Sequence, residues 1–273
     1  MRINLASLAV NAALALVAAF TLFPLAWMVS ASFMAAGEAS SYPPPVLPGA
    51  ATLANYRLLF AEHGIGRQAV NSLLISLLAT GLSLAFNLSA GYAFAKLRFA
   101  GRERIFRALL GALVIPAQVT MMPLFLMLKQ MGLVNSYAGA LVPWLASVFG
   151  IYLVRQYALS IPDELLEAAR MDGAGEGTIF ARVVLPVLKP IVVTLAVLTF
   201  LGSWNDFMWP LIVLTEHDVQ TLPVALAALS REHVPDLELM MAGAVITVLP
   251  VLLLFLALQR YYIQGLLVGS VKG

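Results

Sequence analysis

The sequence predicts an all-α, polytopic membrane protein with six transmembrane helices. Hydrophobic residues make up 61% of its 273 residues, whereas an ordinary soluble domain has about 45–50%. Charged residues make up only 11%, against about 25% in soluble domains, and the mean hydropathy is +0.91. A soluble surface needs more charge than this, so soluble globular, disordered and fibrous classes are excluded.

The transmembrane helices are located by windows that lack charge. An ionised side chain at the bilayer centre costs at least about 2.5–3.5 kcal/mol, so charged residues mark the ends of spans. Five windows contain no Asp, Glu, Lys or Arg, and a sixth is interrupted only by Asp206. Each window holds the roughly 20 residues that a crossing helix needs. We predict helices at about 9–30, 70–95, 107–128, 138–159, 191–214 and 239–258.

These windows also suggest a division of the chain. The apolar run from Leu5 to Ala31 is longer than the 7–15-residue apolar core of a secretory signal, so we expect an uncleaved first span. The predicted parts are an N-terminal segment (1–66), a transmembrane domain (67–259) and a C-terminal tail (260–273).

Two segments, 32–68 and 215–238, are predicted to lie outside the membrane, both on the same side of it. Pro43-Pro44-Pro45 and Pro48-Gly49 favour an ordered loop within residues 32–68. Residues 55–60 have the pattern of a short amphipathic helix. The stretch 215–238 is acidic, which fits either a solvated loop or a docking surface for a soluble partner.

The basic residues predict the orientation. With the N-terminus inside, twelve lie in inside segments and four in outside segments. The inside residues are Arg2, Lys96, Arg98, Arg102, Arg104, Arg107, Arg155, Arg170, Arg182, Lys189, Arg260 and Lys272; the outside ones are Arg57, Arg67, Lys129 and Arg231. Positive charge favours the cytoplasm, so both termini are predicted to be cytoplasmic. We attribute the basic pI of about 9.0 to this topology, because the net charge is only +2.

The inside segment 160–190 is long for a connection between two spans, and it has two parts. In the first part, Ser160 can cap a helix, Asp163 and Glu164 suit its positive end, and Gly173 can supply a left-handed stop. This predicts a helix of about two and a half turns. It suits contact with a cytoplasmic partner, although a connector resting on lipid headgroups is the alternative.

The second part of this segment predicts an interfacial amphipathic helix. Its apolar residues recur at helical spacing on one side and lead into the fifth span. They are Ile179, Phe180, Val183, Val184 and Val187.

The whole segment resembles the EAA loop of permease subunits of binding-protein-dependent ABC importers. The resemblance is carried by Glu167, Ala168, Ala169, Gly173, Val183, Leu185 and Pro186. Val183 stands where the family usually has Ile. The resemblance implies that these residues couple the chain to a cytoplasmic ATPase, with the short helix seated in a cleft of that subunit.

More of the chain is similar to the carbohydrate branch of this family, of the maltose-permease second-subunit type. The similar stretches are residues 55–60, 71–74, 90–99, 202–211, 221–224 and the tail 259–273. This implies a type I ABC importer permease fold in the cytoplasmic (inner) membrane and a carbohydrate substrate moved by alternating access. The implied partners are a second homologous permease, two copies of the ATPase and an extracytoplasmic solute-binding protein. ATP and Mg²⁺ would bind the ATPase, so no cofactor is expected in this chain.

Polar residues in the fifth span suggest a substrate cavity. Asp206 is the only acidic residue in a predicted span, and Trp204, Asn205 and Trp209 lie beside it. Tryptophan rings could stack on a sugar while Asn205 and Asp206 bind its hydroxyl groups. Asp206 could instead tie helices together, and Trp209 could be an interface anchor.

Motifs for catalysis are absent from the sequence. It has no G-x-x-x-x-G-K-[ST] and no H-E-x-x-H, its three histidines are isolated, and it has no Cys. We therefore expect neither enzymatic activity nor a metal site. The alternatives to a sugar importer are a stand-alone secondary transporter, which would need more intramembrane charge than Asp206, and an ABC importer for another solute such as a glycerol phosphate. An intramembrane enzyme has no catalytic constellation to support it.

Overall fold

The computed structural model describes residues 5–230 and 236–270, and the side chains of 7–230 and 236–257. Arg2, Arg231 and Lys272 of the charge count, and the end of the tail, lie outside the described residues. No strand occurs in the described ranges. The helices are α1 (Leu5–Ala31), α2 (Ala54–Ala61), α3 (Ile65–Lys96), α4 (Arg102–Ala112), α5 (Ala117–Gln130), α6 (Tyr137–Leu141), α7 (Val148–Leu159), α8 (Asp163–Met171), α9 (Glu176–Ile179), α10 (Leu185–Val187), α11 (Lys189–Trp204), α12 (Met208–Val213), α13 (Leu222–Leu229) and α14 (Leu237–Ser270).

Three helices in the described residues are each long and apolar enough to cross a membrane. They cover Ser7–Ala31, Ile65–Lys96 and Leu237–Ala257. The first, second and sixth predicted spans are therefore confirmed as single helices.

The third and fourth predicted spans, 107–128 and 138–159, are each a bent pair of helices rather than the single helix that was predicted. α4 and α5 meet at 103°, and the helices from Tyr137–Trp144 and Val148–Leu159 meet at 46°. Pro116 caps α5, and a proline excludes helical geometry from the preceding residue, which ends α4 before it. A third bent pair joins Glu176–Val187 to Lys189–Trp204 at 81°, and counting each pair as one span gives up to six spans in the described residues.

The fifth predicted span, 191–214, is also not one helix. α11 ends at Trp204 and α12 begins at Met208. The Asn205 amide donates to the Leu201 carbonyl at 2.8 Å, and Asp206 Oδ1 accepts from the Trp209 N–H at 3.4 Å. Both side chains bind backbone groups at the break between the two helices, and a count of charges does not detect this break.

Residues 1–69 and 222–253 form one compact unit. In it, the connection after α1 is held by hydrogen bonds rather than by regular structure. The Trp27 indole donates to the Pro45 carbonyl at 3.0 Å, and the buried Glu238 carboxylate accepts from the Ala39 N–H at 2.6 Å. The Asn55 amide binds two backbone carbonyls at 2.9 and 3.0 Å. The ordered loop and the short helix α2 are thus confirmed.

The acidic stretch 215–238 contains a helix that the prediction of a loop missed. α13 is made only of apolar residues, and Leu222, Val224 and Ala225 are buried. Its Leu226 side chain packs directly on Gly243 of α14, where there is no space for a Cβ. Charged residues flank α13 on both sides in the sequence. The acidic composition of the whole stretch therefore did not indicate an apolar helix within it.

The described residues within 70–221 and 254–273 form the second unit, and two apolar cores are found among them. The first contains Leu88, Tyr92, Ala95, Val154, Ala158, Ile161, Leu166, Ile179, Val184, Leu188, Ile191 and Leu195. The second contains Ile75, Ala79, Leu128, Ala140, Leu141, Trp209, Val213 and Leu214. The first core carries the segment that resembles the EAA loop, and the second carries Trp209.

Candidate functional site

The short helix α8 is seated on the first core by one apolar side. Leu166 is 1% exposed within that core, and Ala169 packs against it. Pro162, rather than the predicted Ser160, is the N-cap residue, and the Ser160 hydroxyl donates to the Tyr157 carbonyl at 2.7 Å. The predicted short helix is confirmed, and its N-cap lies two residues after the predicted one.

The C-terminus of α8 has the geometry of a Schellman motif. Gly173 has φ +80°, the Ala174 N–H donates to the Ala169 carbonyl, and the Gly173 N–H donates to the Arg170 carbonyl, both at 3.0 Å. Ala169 and Ala174 pack against the same core, as the motif usually requires. The predicted left-handed stop at Gly173 is confirmed.

Two polar side chains of α3 hold the ends of the α8 segment. The Lys96 ammonium donates to Asp163 and to the Ile161 carbonyl, both at 2.6 Å. The Tyr92 hydroxyl donates to Glu176 at 2.9 Å. Tyr92 and Lys96 are one helical turn apart and therefore lie on the same side of α3.

The contacts of Tyr92 and Lys96 with the α8 segment form a clasp, and the charged groups in this clasp are paired. Arg170 contacts Glu176 at 2.8 Å, and this bond holds the pKa of the Glu176 carboxyl below its usual value. The hydrogen bond from Lys96 likewise lowers the pKa of Asp163. Both carboxylates are therefore ionised at neutral pH, as the contacts to cations require.

The opposite side of α8 is exposed to solvent. Ala168 and Glu167 are exposed, and Met171 is 88% exposed. A Cβ added at Gly173 would meet nothing within 4 Å. Among the three small residues singled out in the sequence, Ala168 and Gly173 thus lie on the free surface, whereas Ala169 is turned inward.

The second half of the segment packs inward as well. Ile179 and Val184 are fully buried in the first core, and Val183 and Leu185 pack against it, while Pro186 is exposed. Four of the five apolar residues of this predicted interfacial side therefore pack on protein rather than in the membrane interface, whereas the fifth, Val187, is 51% exposed. A π-helical turn covers Phe180–Val184, directly before Pro186, whose missing N–H prevents a normal α-helical bond there.

Sequence reasoning missed the residues that attach this segment to the fold. The contacts are formed by Tyr92, Lys96, Arg170 and Glu176. None of them was assigned this role from the sequence. The available signal was the pair Tyr92 and Lys96 at helical spacing next to the predicted end of the second span. Their partners, 65 to 84 residues away, were not visible in the sequence.

The predicted substrate residues of the fifth span mostly contact this chain itself. Trp204 is 2% exposed and its ring stacks on Phe200 at 5.9 Å. The buried Trp209 indole donates to the Gly139 carbonyl at 3.1 Å. Asp206 is also bound by the Trp144 side chain, and of the four predicted residues only Asn205 is exposed.

A cavity of about 250 Å³ is lined by residues of α3, of α11 and of the bent pair that contains α7. Its lining is Ser83, Asn87, Pro143, Trp144, Ser147, Phe149, Leu195, Leu198 and Thr199. Asn87 accepts from the Ser147 N–H at 2.9 Å and donates to the Ser83 hydroxyl at 2.8 Å. Typical small-molecule sites have roughly 300–1,000 Å³, so this cavity suits only a small ligand or part of a larger one.

Residues 87–268 match the family model described as binding-protein-dependent transport system inner membrane component. The chain belongs to this family. The matched range includes α8, Gly173 and the clasp residues Tyr92 and Lys96. Membership of this family argues against a stand-alone secondary transporter, because the family consists of components of binding-protein-dependent transport systems.

Curated relatives match this permease component over almost its whole length. It is 38% identical over 262 residues to the arabinooligosaccharides transport system permease protein AraQ of Halalkalibacterium halodurans, covering 95% of this chain and 94% of the relative. It is 35% identical to the lactose transport system permease protein LacG of Rhizobium radiobacter, covering 95% and 94%.

A solved structure shares the fold. A chain of a bacterial ABC transporter involved in the import of the acidic polysaccharide alginate matches with a TM-score of 0.83 at 24% identity, covering 94% of this chain and 96% of that one. The ABC importer permease fold implied by the sequence is therefore confirmed.

Proposed function

We propose that this permease is a transmembrane subunit of an ATP-driven sugar importer, and that α8 is its coupling helix. The carrying observation is the seating of α8, which is fixed to α3 on one side and exposes Ala168 and Met171 on the other. Relatives named for arabinooligosaccharides and lactose support a carbohydrate substrate.

The complete importer would contain a second permease, two copies of a cytoplasmic ATPase and an extracytoplasmic solute-binding protein. Both termini and the α8 segment would face the cytoplasm, since the inside segments hold twelve of the sixteen basic residues. ATP and Mg²⁺ would bind the ATPase, for which this chain offers no P-loop.

The clasp would transmit a displacement of α8 to the long apolar helix α3. Closure of the ATPase dimer would press on the exposed side of α8. Because Lys96 holds its beginning and Tyr92 holds the residues after its end, the displacement would move α3 with it. The ATPase shifts the equilibrium between inward- and outward-facing states only as far as its contact with α8 differs between them.

The substrate would pass beside the cavity of Asn87 and Ser147. Hydroxyl, amide and indole groups there can bind sugar hydroxyl groups, and Asn205 is the exposed member of the originally predicted set. The break between α11 and α12 would be held in its geometry by Trp204, Asp206 and Trp209, and the shape of this passage would depend on it.

Cross-linking tests the coupling role directly. The chain has no Cys, so Ala168→Cys introduces its only thiol, which a thiol-to-amine reagent can link to the ATPase that co-purifies with the tagged chain. We expect an adduct whose yield changes with ATP. Leu47→Cys, at an exposed site in the loop after α1, is the control. Absence of the adduct at 168, or equal yields at both sites, would contradict the assignment.

A non-sugar solute is the second candidate substrate. A relative from Synechocystis, 37% identical over 226 residues, is named osmoprotective compounds uptake permease protein GgtD. Calorimetry of the co-encoded solute-binding protein with oligosaccharides, disaccharides and glycerol phosphates would decide. Binding of a glycerol phosphate alone would exclude the sugar proposal.

A further inference from the structure

A groove lined by arginines lies where α3 ends and α4 begins. It has a volume of about 730 Å³. Its lining includes Arg98, Phe99, Arg102, Glu103, Arg104 and Arg107. The groove therefore brings four guanidinium groups together with one carboxylate.

The single carboxylate does not neutralise the groove. Glu103 is shared between Arg102 at 3.3 Å and Arg155 at 3.1 Å, and Arg155 belongs to α7 rather than to the groove. Within the described part of the chain, no ion pair engages Arg98, Arg104 or Arg107. The groove thus has an excess of positive charge that an anion would balance.

The charges of the groove place it near a membrane surface, because its four arginines lie within residues 98–107, at the charged end of the predicted span 107–128, and charged residues mark the ends of spans. The first turns of α4, which carry three of these arginines, run at 103° to α5. Phe106 packs inward, while Ile105 is 47% exposed and Phe99 is 42% exposed. Arginines on one side and exposed apolar residues on another are typical of an interfacial helix.

We infer that this groove binds the headgroup of an anionic phospholipid in the cytoplasmic leaflet. Guanidinium groups match phosphate oxygens in bidentate geometry, and basic pockets on the cytoplasmic side of membrane proteins bind anionic headgroups. Exposed Phe99 and Ile105 give acyl chains an apolar contact that a free anion would not use. The choice of leaflet rests on the orientation proposed above.

Topology alone does not explain this arrangement. The orientation of a span depends on the number of positive charges near its ends, whereas recognition of a phosphate depends on their geometry. Arginine-to-lysine changes separate the two, because they keep the charge and remove the planar fork.

The test measures the phospholipid retained by the complete complex. The complex is equilibrated with phosphatidylcholine vesicles containing increasing fractions of phosphatidylglycerol, extracted, and analysed by native mass spectrometry. Arg98→Gln together with Arg104→Gln should lower the preference for phosphatidylglycerol roughly thirtyfold. The corresponding double lysine variant should lose part of the preference, and Arg57→Gln, an exposed change on α2, should lose none.

Three results would overturn the inference. Equal retention of both lipids, or no change in the double glutamine variant, would show that the groove does not select anionic lipid. Displacement of the lipid by inorganic phosphate would identify a free-anion site. The measurement needs neither sugar nor ATP hydrolysis, so its failure is separable from failure of the importer proposal.

Discussion

Gly173 shows how one residue can serve both the fold and a partner. Its φ of +80° is a conformation that costs other L-residues roughly 1–2 kcal/mol, and it closes the Schellman motif of α8. Its surroundings are open, so the requirement inside the chain is conformational rather than steric. The sequence could predict this residue because a glycine just after a helix is a local signal.

Gly173→Asp should abolish uptake and binding-protein-stimulated ATP hydrolysis without lowering the amount of permease in the membrane. The carboxylate adds bulk and charge to the surface that we propose contacts the ATPase, and the backbone loses its favoured residue. Uptake assays and immunoblots of membranes measure the two effects. Gly177→Asp is the control, since Gly177 is exposed and has no positive φ, and it should retain most activity. Normal transport by the Gly173 variant would count against coupling through α8.

The Lys96–Asp163 bond predicts a pH dependence of stability. Lys96 lowers the pKa of Asp163 in the folded state, so the bond contributes stability that is fully present above the ordinary aspartate pKa of about 3.9 and is lost as the pH falls through the lowered value. Melting curves of the purified complex should therefore show a loss of stability on acidification that is smaller in Asp163→Asn. Identical pH profiles of the two proteins would exclude this contribution.

At the scale of elements, charge windows predicted where the chain crosses the membrane but not how. The windows found α1, α3 and α14 because each of those helices continues without a break through its window. They missed the bends at Pro116 and at 205–207, because a window without charge has the same composition whether it is straight or broken. The interfacial prediction for 176–187 failed for a related reason: an apolar side has the same sequence pattern whether lipid or protein covers it.

Tyr92→Phe should weaken the attachment of the α8 segment to α3. The change removes the hydroxyl that donates to Glu176 at 2.9 Å and leaves the ring packed on Phe180 at 5.3 Å. A hydrogen bond of this kind contributes about 0.5–1.5 kcal/mol, so we expect a several-fold fall in stimulated ATPase activity and in uptake together. Tyr157→Phe, an exposed change on α7, should have no effect. If both variants behave like the wild type, the clasp is not part of the coupling path.

At the scale of the whole molecule, the sequence could predict the all-α membrane fold class and the importer family, but not the long-range contacts that build the sites. The Tyr92–Glu176 and Asn87–Ser147 contacts join residues 84 and 60 positions apart, and no local pattern encodes such pairs. Trp209 shows that a local sequence pattern can also suggest a role without revealing the contact that the side chain makes. A tryptophan in a span suggested a sugar platform, and its indole instead binds the Gly139 carbonyl of another helix.

We expect both termini of the chain to be cytoplasmic, because twelve basic residues fall in the predicted inside segments and four in the predicted outside segments, and labelling of single cysteines tests this orientation. Leu47→Cys and Met171→Cys place the chain's only thiol at sites that are 73% and 88% exposed, so accessibility within the chain does not limit either reaction. In intact spheroplasts, a membrane-impermeant maleimide should label position 47, while position 171 should react only after permeabilisation. The reverse pattern would place α8 outside, where no ATP-driven subunit could press on it, and the coupling proposal would fail together with the choice of leaflet for the arginine groove.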